Sequence, residues 1–143
     1  MEILSPYIVA GLAGWIVSQV AKYIIASFKE RRLKSLRQLY FSGNMPSAHS
    51  ATVVAVLVVI GLRDGIGSGL FGLALVFTSV VLYDAMMVRR SVGEQGVALT
   101  EVIRERKSAV RLPRVAMGHT PTEVLVGSIL GLAIGIIVYF TMQ

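Results

Sequence analysis

The chain contains no cysteine. That absence excludes a disulfide framework and any thiolate metal site, and it leaves the redox compartment undetermined. Histidine is nearly as scarce, with His49 and His119 the only two, so imidazole chemistry can come from no other positions. Charge is sparse as well: 15% of the 143 residues are charged, against 55% hydrophobic. With a mean hydropathy of +0.71 and apolar residues gathered in long blocks, the chain is too apolar for a water-soluble domain of its size. It reads as an integral membrane protein, one domain over residues 1–143.

A hydrocarbon core of about 30 Å needs about 20 apolar helical residues, and four segments approach that length: 6–28, 47–62, 66–88 and 121–142. The fold class that follows is all-α, a compact bundle of about four transmembrane helices. The N-terminal segment has no basic leader or small-residue cleavage site and carries Lys22 deep inside it, which predicts a retained span. The second and third segments are joined by the short, glycine-rich "LRDGIGSG", a tight turn between antiparallel neighbours.

Acidic residues are the scarcer charge, 8 against 14 lysines and arginines, giving a net charge of +6. The two longer connections, "KERRLKSLRQLYFSGNM" and "RRSVGEQGVALTEVIRERKSAVRLPRVAMGH", hold 12 of those 14 cations, and four crossings put both on one face. The positive-inside rule makes that face cytoplasmic, with the termini outside and the plasma membrane the expected location. Basic residues flanking spans imply anionic lipid headgroups as partners, and without a reading module they do not indicate nucleic acid. Within the second connection, "GVALTEVIRERKSAVRL" mixes apolar and basic residues at helical spacing, so an interfacial amphipathic helix is expected beside the plainer reading of a solvated connector.

Glycines recur at Gly127, Gly131 and Gly135, and at Gly65, Gly69 and Gly72. Small residues at such spacing let helices approach closely. Close packing inside the bundle is the first reading, and a homodimer seam the second.

Both histidines lie at the starts of apolar segments. Ser47 is placed to cap the second, and Thr120 followed by Pro121 to cap the fourth. Helix N-termini carry free N–H groups and the positive end of the helix dipole, so two of them meeting would favour an anion. The third segment brings Asp84 to the same end, with Arg89 and Arg90 just beyond. The first brings Ser18, Gln19 and Lys22 on one helical face. Ionisable residues within spans face the bundle interior or water and are functional candidates.

The motifs "MPSAHSA", "YDAMMVRRSVGEQ" and "GHTPTEVLVG", in this order, resemble the divergent, small-membrane-protein branch of the type 2 phosphatidic acid phosphatase superfamily. Its broader signatures include P-S-G-H and S-R-x5-H-x3-D. The resemblance runs from about Gln19 to Gly131. It implies a helical, metal-independent phosphatase with no cofactor, related to vanadium haloperoxidases and acting on lipid phosphates through a phosphohistidine. Carried over residue by residue, His119 is the nucleophile, Glu123 orients its ring in the place of the signature's aspartate, and His49 is the general acid. Lys22, Ser47, Arg89 and Arg90 are expected to bind phosphate, with Asp84, Gln19 and Arg114 in support.

The chain departs from the broader pattern in three places. The first signature, K-x6-R-P, is absent, since Lys22 is followed seven residues later by Lys29 with no R-P pair. Pro113 stands where the third signature has arginine, and Arg114 is one residue out of register. Ala48 replaces the glycine of P-S-G-H. Plainer readings also exist: Thr120 and Glu123 form a capping box, Lys22 could reach the interface by snorkelling, and Asp84 could serve only to pair with Arg89. The expected function is a lipid phosphate phosphatase, with phosphatidic acid, phosphatidylglycerol phosphate or a prenyl phosphate as substrate. A non-catalytic protein that binds phospholipid headgroups, as transporter, sensor or assembly factor, is the alternative.

Overall fold

A computed structural model describes residues 4–30, 45–113, 115 and 117–143, and these contain helices and no strand. The helices are α1 (Pro6–Glu30), α2 (Ala48–Arg63), α3 (Gly69–Tyr83), α4 (Arg89–Glu105) and α5 (Pro121–Thr141). Their starts follow local chemistry. The Ser47 hydroxyl accepts from the N–H of Ser50, and that of Ser68 from the N–H of Phe71. Thr120 and Glu123 form a reciprocal capping box, with Pro121 at the first helical position.

The segment after the third apolar run departs from expectation. α3 does not end near Val88; it passes through a π-helical turn, Asp84–Val88, directly into α4. Gly69–Glu105 is therefore one helix of 37 residues. No proline or side-chain cap interrupts it at Arg89, so an already nucleated helix propagates. The stretch expected to form a separate interfacial helix instead divides. Its first half continues α4, and residues 108–113 are not helical.

The bundle is polytopic. Pro6–Phe28, Gly69–Glu105 and Pro121–Thr141 are long and apolar enough to cross a membrane, and α2 is a shorter apolar helix. Large apolar side chains are exposed around its outside, among them Leu73, Phe77, Ile129 and Phe140, as lipid-facing positions should be.

Central to the packing is α2, held between α1 and α5. A Cβ at Gly127 would lie 2.5 Å from the Ser47 carbonyl oxygen, one at Gly131 2.5 Å from that of Ala51, and one at Gly135 2.8 Å from that of Ala55. A Cβ at Gly14 of α1 would lie 2.9 Å from the same Ala51 oxygen. Only glycine permits these approaches. Gly69 and Gly72, by contrast, face open space and join no helix contact. Gly65 has a turn role instead: at φ +85° it makes the left-handed step between α2 and α3.

The length of α2 sets the depth of its N-terminus. Sixteen residues span about 24 Å, short of a hydrocarbon core of about 30 Å. Its C-terminal end is fastened level with the ends of α1 and α5: the Tyr7 hydroxyl donates to Asp64 at 2.7 Å, and Arg63 to the Met142 carbonyl at 2.9 Å. The whole shortfall therefore falls at the opposite end, where His49 starts the helix. Lys22, sixteen residues into α1, lies at the same depth of about 24 Å.

Candidate functional site: two histidines in an amphipathic cleft

At that recessed end a cleft of about 840 Å³ opens between α1, α2, the α3–α4 helix and the segment leading to α5. Its polar part is formed by Gln19, Lys22, His49, Asp84, Arg89 and His119, and its apolar wall includes Trp15, Val53, Phe77 and Val81. α1 and α3 scarcely touch, so the apolar wall lies in the gap between two lipid-facing helices. Trp15 and Phe77 are both exposed there.

Among the described residues His119 is the most enclosed ionisable group, at 7% exposure. Its Nδ1 lies 3.2 Å from a Glu123 oxygen, and the same oxygen accepts the Thr120 N–H at 2.9 Å. The capping carboxylate therefore also orients the ring, leaving Nε2 as the nitrogen with no carboxylate partner. The His49 ring stands with its centroid 6.3 Å from that of His119, inclined at 58°. That separation is too long for the rings to bond each other and leaves room for a ligand group between them.

Burial pushes the His119 pKa below its ordinary value, and the Lys22 and Arg89 charges act in the same direction. The hydrogen bond and charge of Glu123 oppose the shift in part. A pKa below 6.5 leaves the ring neutral, and hence nucleophilic, at neutral pH.

The backbone fixes this arrangement. The N–H of Ser47 donates to the Glu123 carbonyl at 3.1 Å, joining the start of α2 to the first turn of α5. In the π-turn the Arg89 N–H bonds the Asp84 carbonyl, five residues back. The Ala85 carbonyl instead accepts the His119 N–H at 3.0 Å. Ala85 is 1% exposed, so leaving either group without a partner would cost about 1–3 kcal/mol. Gly118 fits flush against the same turn, where a Cβ would collide with the Arg90 backbone nitrogen.

The remaining residues singled out in the sequence separate into three groups. Lys22, Arg89, Asp84 and Gln19 line the cleft with the histidines. Arg89 donates to Asp84 at 2.6 Å, and the Gln19 carbonyl oxygen is buried without a hydrogen-bond partner. Ser47 and Arg90 stand apart from the lining. The Ser47 side chain is fully buried and engaged with Ser50, and Arg90 turns to Glu94 at 3.2 Å. Ser18 is also buried, bonded to the Trp15 carbonyl. Arg114 lies outside the described residues. Neither Ala85 nor the apolar wall has a residue type or spacing that marks it in the sequence. Gly118, directly before His119 in "MGHTPTE", was visible but carries meaning only once its contact is known.

Residues 4–134 match the model of the divergent PAP2 family, a span that contains every cleft residue named above. The chain belongs to the divergent PAP2 family. It is also 31% identical over 159 aligned positions to the uncharacterized membrane protein YuiD of Bacillus subtilis (strain 168), covering 99% of this chain and 100% of that one. No solved structure matches. For this divergent PAP2 member the three motifs converge: "MPSAHSA" supplies His49, "YDAMMVRR" the π-turn with Asp84 and Arg89, and "GHTPTE" the His119–Glu123 pair.

Proposed function

We propose that this membrane protein is a phosphatase of lipid phosphate monoesters. The observation that carries the reading is the pair of facing imidazoles, one oriented by a carboxylate, at the cationic end of a cleft whose other wall is apolar and laterally open. A lipid phosphate has the matching polarity, with its phosphate at Lys22 and Arg89 and its chain along Trp15 and Phe77.

The chemistry has two steps. His119 Nε2 attacks phosphorus, the bond from phosphorus to the lipid oxygen breaks, and protonated His49 gives its proton to that leaving oxygen. Water then attacks the phosphohistidine while His49, now neutral, accepts its proton. The phosphorus–nitrogen bond breaks, releasing inorganic phosphate and restoring His119. A positioned acid–base group contributes about 10²–10⁴ in rate. Lys22 and Arg89 offset the charge that develops on the phosphoryl oxygens.

Phosphate release by the detergent-solubilised protein from phosphatidic acid, phosphatidylglycerol phosphate and a prenyl phosphate, in the presence of EDTA, tests the reading. Release that persists in EDTA and vanishes in His119→Ala supports it. Saturable lipid phosphate binding without turnover would replace it with a headgroup-binding protein, a second reading favoured by the missing K-x6-R-P signature after Lys22.

The density of lysine and arginine in the two longer connections supports a site on the cytoplasmic side, against anionic lipid, by the positive-inside rule. The absence of native cysteine makes the orientation simple to check. Cysteines substituted at Ser35 and Ser68 should label from opposite sides of sealed vesicles, with Ser35 inside. Labelling of Ser35 from the outside would move the site to the other face.

A further inference from the structure

The π-turn lies where the site is assembled, and two of its consequences reach the cleft. In an α-helix, residues five apart lie on different faces; the wider turn places Arg89 beside Asp84, with its nitrogen 2.6 Å from the carboxylate and both groups lining the cleft. Second, moving the Arg89 N–H on to Asp84 leaves the Ala85 carbonyl for another donor, and that donor is the backbone of His119. Isolated π-turns within α-helices are uncommon and concentrate at functional sites.

We propose that the π-turn Asp84–Val88 is the device that positions His119, with Ala85 as its anchor and Gly118 as the flush contact that lets the anchor bond form. Ala85 and Gly118 are thus positioning residues. Neither side chain touches the cleft chemistry: one contributes a carbonyl, and the other contributes the lack of a Cβ. The kinetic part of this inference rests on the phosphatase reading; the geometric part does not.

Two variants separate the parts. Deleting Met87 removes the extra residue and restores α-helical spacing. The former Asp84 and Arg89 then fall four apart and can still pair, but the Ala85 carbonyl is recaptured by its own helix. Gly118→Ala keeps the turn and adds the Cβ that meets the Arg89 and Arg90 backbone. Gly72→Ala, on the same long helix but facing open space, is the control.

The first readout is the ring titration of His119 by NMR in micelles, assigned against His49→Asn. The groups that face this ring are Glu123 on α5, Lys22 on α1, His49 on α2 and Arg89 beside the π-turn. In the native protein burial is expected to hold the midpoint below the ordinary imidazole value of 6.5. Once released from Ala85 the ring becomes solvated, and in both variants the midpoint should move back towards 6.5. The second readout is turnover. A misplacement of about 1 Å can cost about 10² in rate, so kcat should fall about 100-fold, with KM within about twofold because Lys22 and Arg89 remain.

Variants that fold by circular dichroism, yet leave the His119 midpoint and kcat unchanged, would overturn the proposal. If deletion of Met87 prevents folding, Gly118→Ala decides alone. A wild type that hydrolyses nothing, combined with a displaced His119 midpoint in the variants, would defeat the phosphatase reading and leave the positioning role standing.

Discussion

The two ends of the bundle are built on opposite principles. At the end that holds the α2–α3 turn, hydrogen bonds from Tyr7 to Asp64 and from Arg63 to Met142 tie three helix ends together. Behind them lies an apolar core of Ala10, Ala55, Val59, Ile134 and Val138. At the other end, where the short α2 begins, polar groups from every wall share one cleft. The first end holds the helices in place; the second exposes chemistry on that frame. Small residues along α2 connect them, because the same backbone contacts that close the core also fix Ser47 against Gly127 at the edge of the site.

The largest expected effect comes from breaking the frame between the ends. Gly131→Leu would drive a side chain into the Ala51 backbone, where a Cβ alone already lies 2.5 Å from the carbonyl oxygen. Overpacking commonly costs about 1–3 kcal/mol where side chains can yield, and backbone yields less. The expected result is loss of monodisperse protein in detergent, or a steep fall in melting temperature. A Gly131→Leu protein as stable as wild type would show that α2 and α5 are not held at this distance.

Smaller, and confined to the site end, is Glu123→Gln. Glutamine can still complete a capping box, so α5 should start as before and stability should change by less than about 1 kcal/mol. The negative charge and its hydrogen bond to His119 are lost, and turnover should fall about 100-fold. The pH profile carries the sign. In the wild type, activity should fall on the acid side as His119 protonates, with a midpoint below 6.5. Glu123 raises that pKa against the dominant effect of burial; without it the acid limb should move to still lower pH. A variant with reduced helix stability and an unmoved acid limb would assign Glu123 to capping alone.

How far each end could be read from the sequence follows from the range of its interactions. The capping box at Thr120 and Glu123 and the N-cap at Ser47 are contacts within one helical turn, and both stand as their spacing implies. The glycines at 127, 131 and 135 were likewise legible, because one helix face repeats every three to four residues. The same rule misread Gly69 and Gly72, whose spacing is similar but whose face meets nothing. Spacing shows that a smooth face exists, not that a partner covers it.

The gathering of Lys22, His49, Asp84, Arg89 and His119 followed from helix direction alone. What escaped was tertiary. The His119 backbone bond to Ala85 joins residues 34 apart, and the π-turn has no composition that distinguishes "DAMMV" from ordinary helix. The inward turn of the Ser47 hydroxyl towards Ser50 shows the same limit: a cap at a site's edge can face away from the site.

The smallest expected effect tests the contrast from the structural end. Tyr7→Phe removes the hydroxyl that donates to Asp64 at 2.7 Å and leaves the aromatic ring in place. The bond is solvent-exposed, so its net worth is at the low end of the about 0.5–1.5 kcal/mol typical of hydrogen bonds. Asp64 can turn to water without being stranded. A fall of a few degrees or less in melting temperature is therefore expected, with kcat and the acid limb unchanged. The distance to His119 makes the second part informative. Because α2 runs unbroken from the Asp64 cap to His49, a loosened outer end could reach the cleft only by tilting that helix against Gly127, Gly131 and Gly135. Those contacts are already at their closest approach and resist such a tilt. A Tyr7→Phe protein that keeps its melting temperature but loses turnover would show the two ends to be mechanically coupled, and would end the division of roles drawn between them.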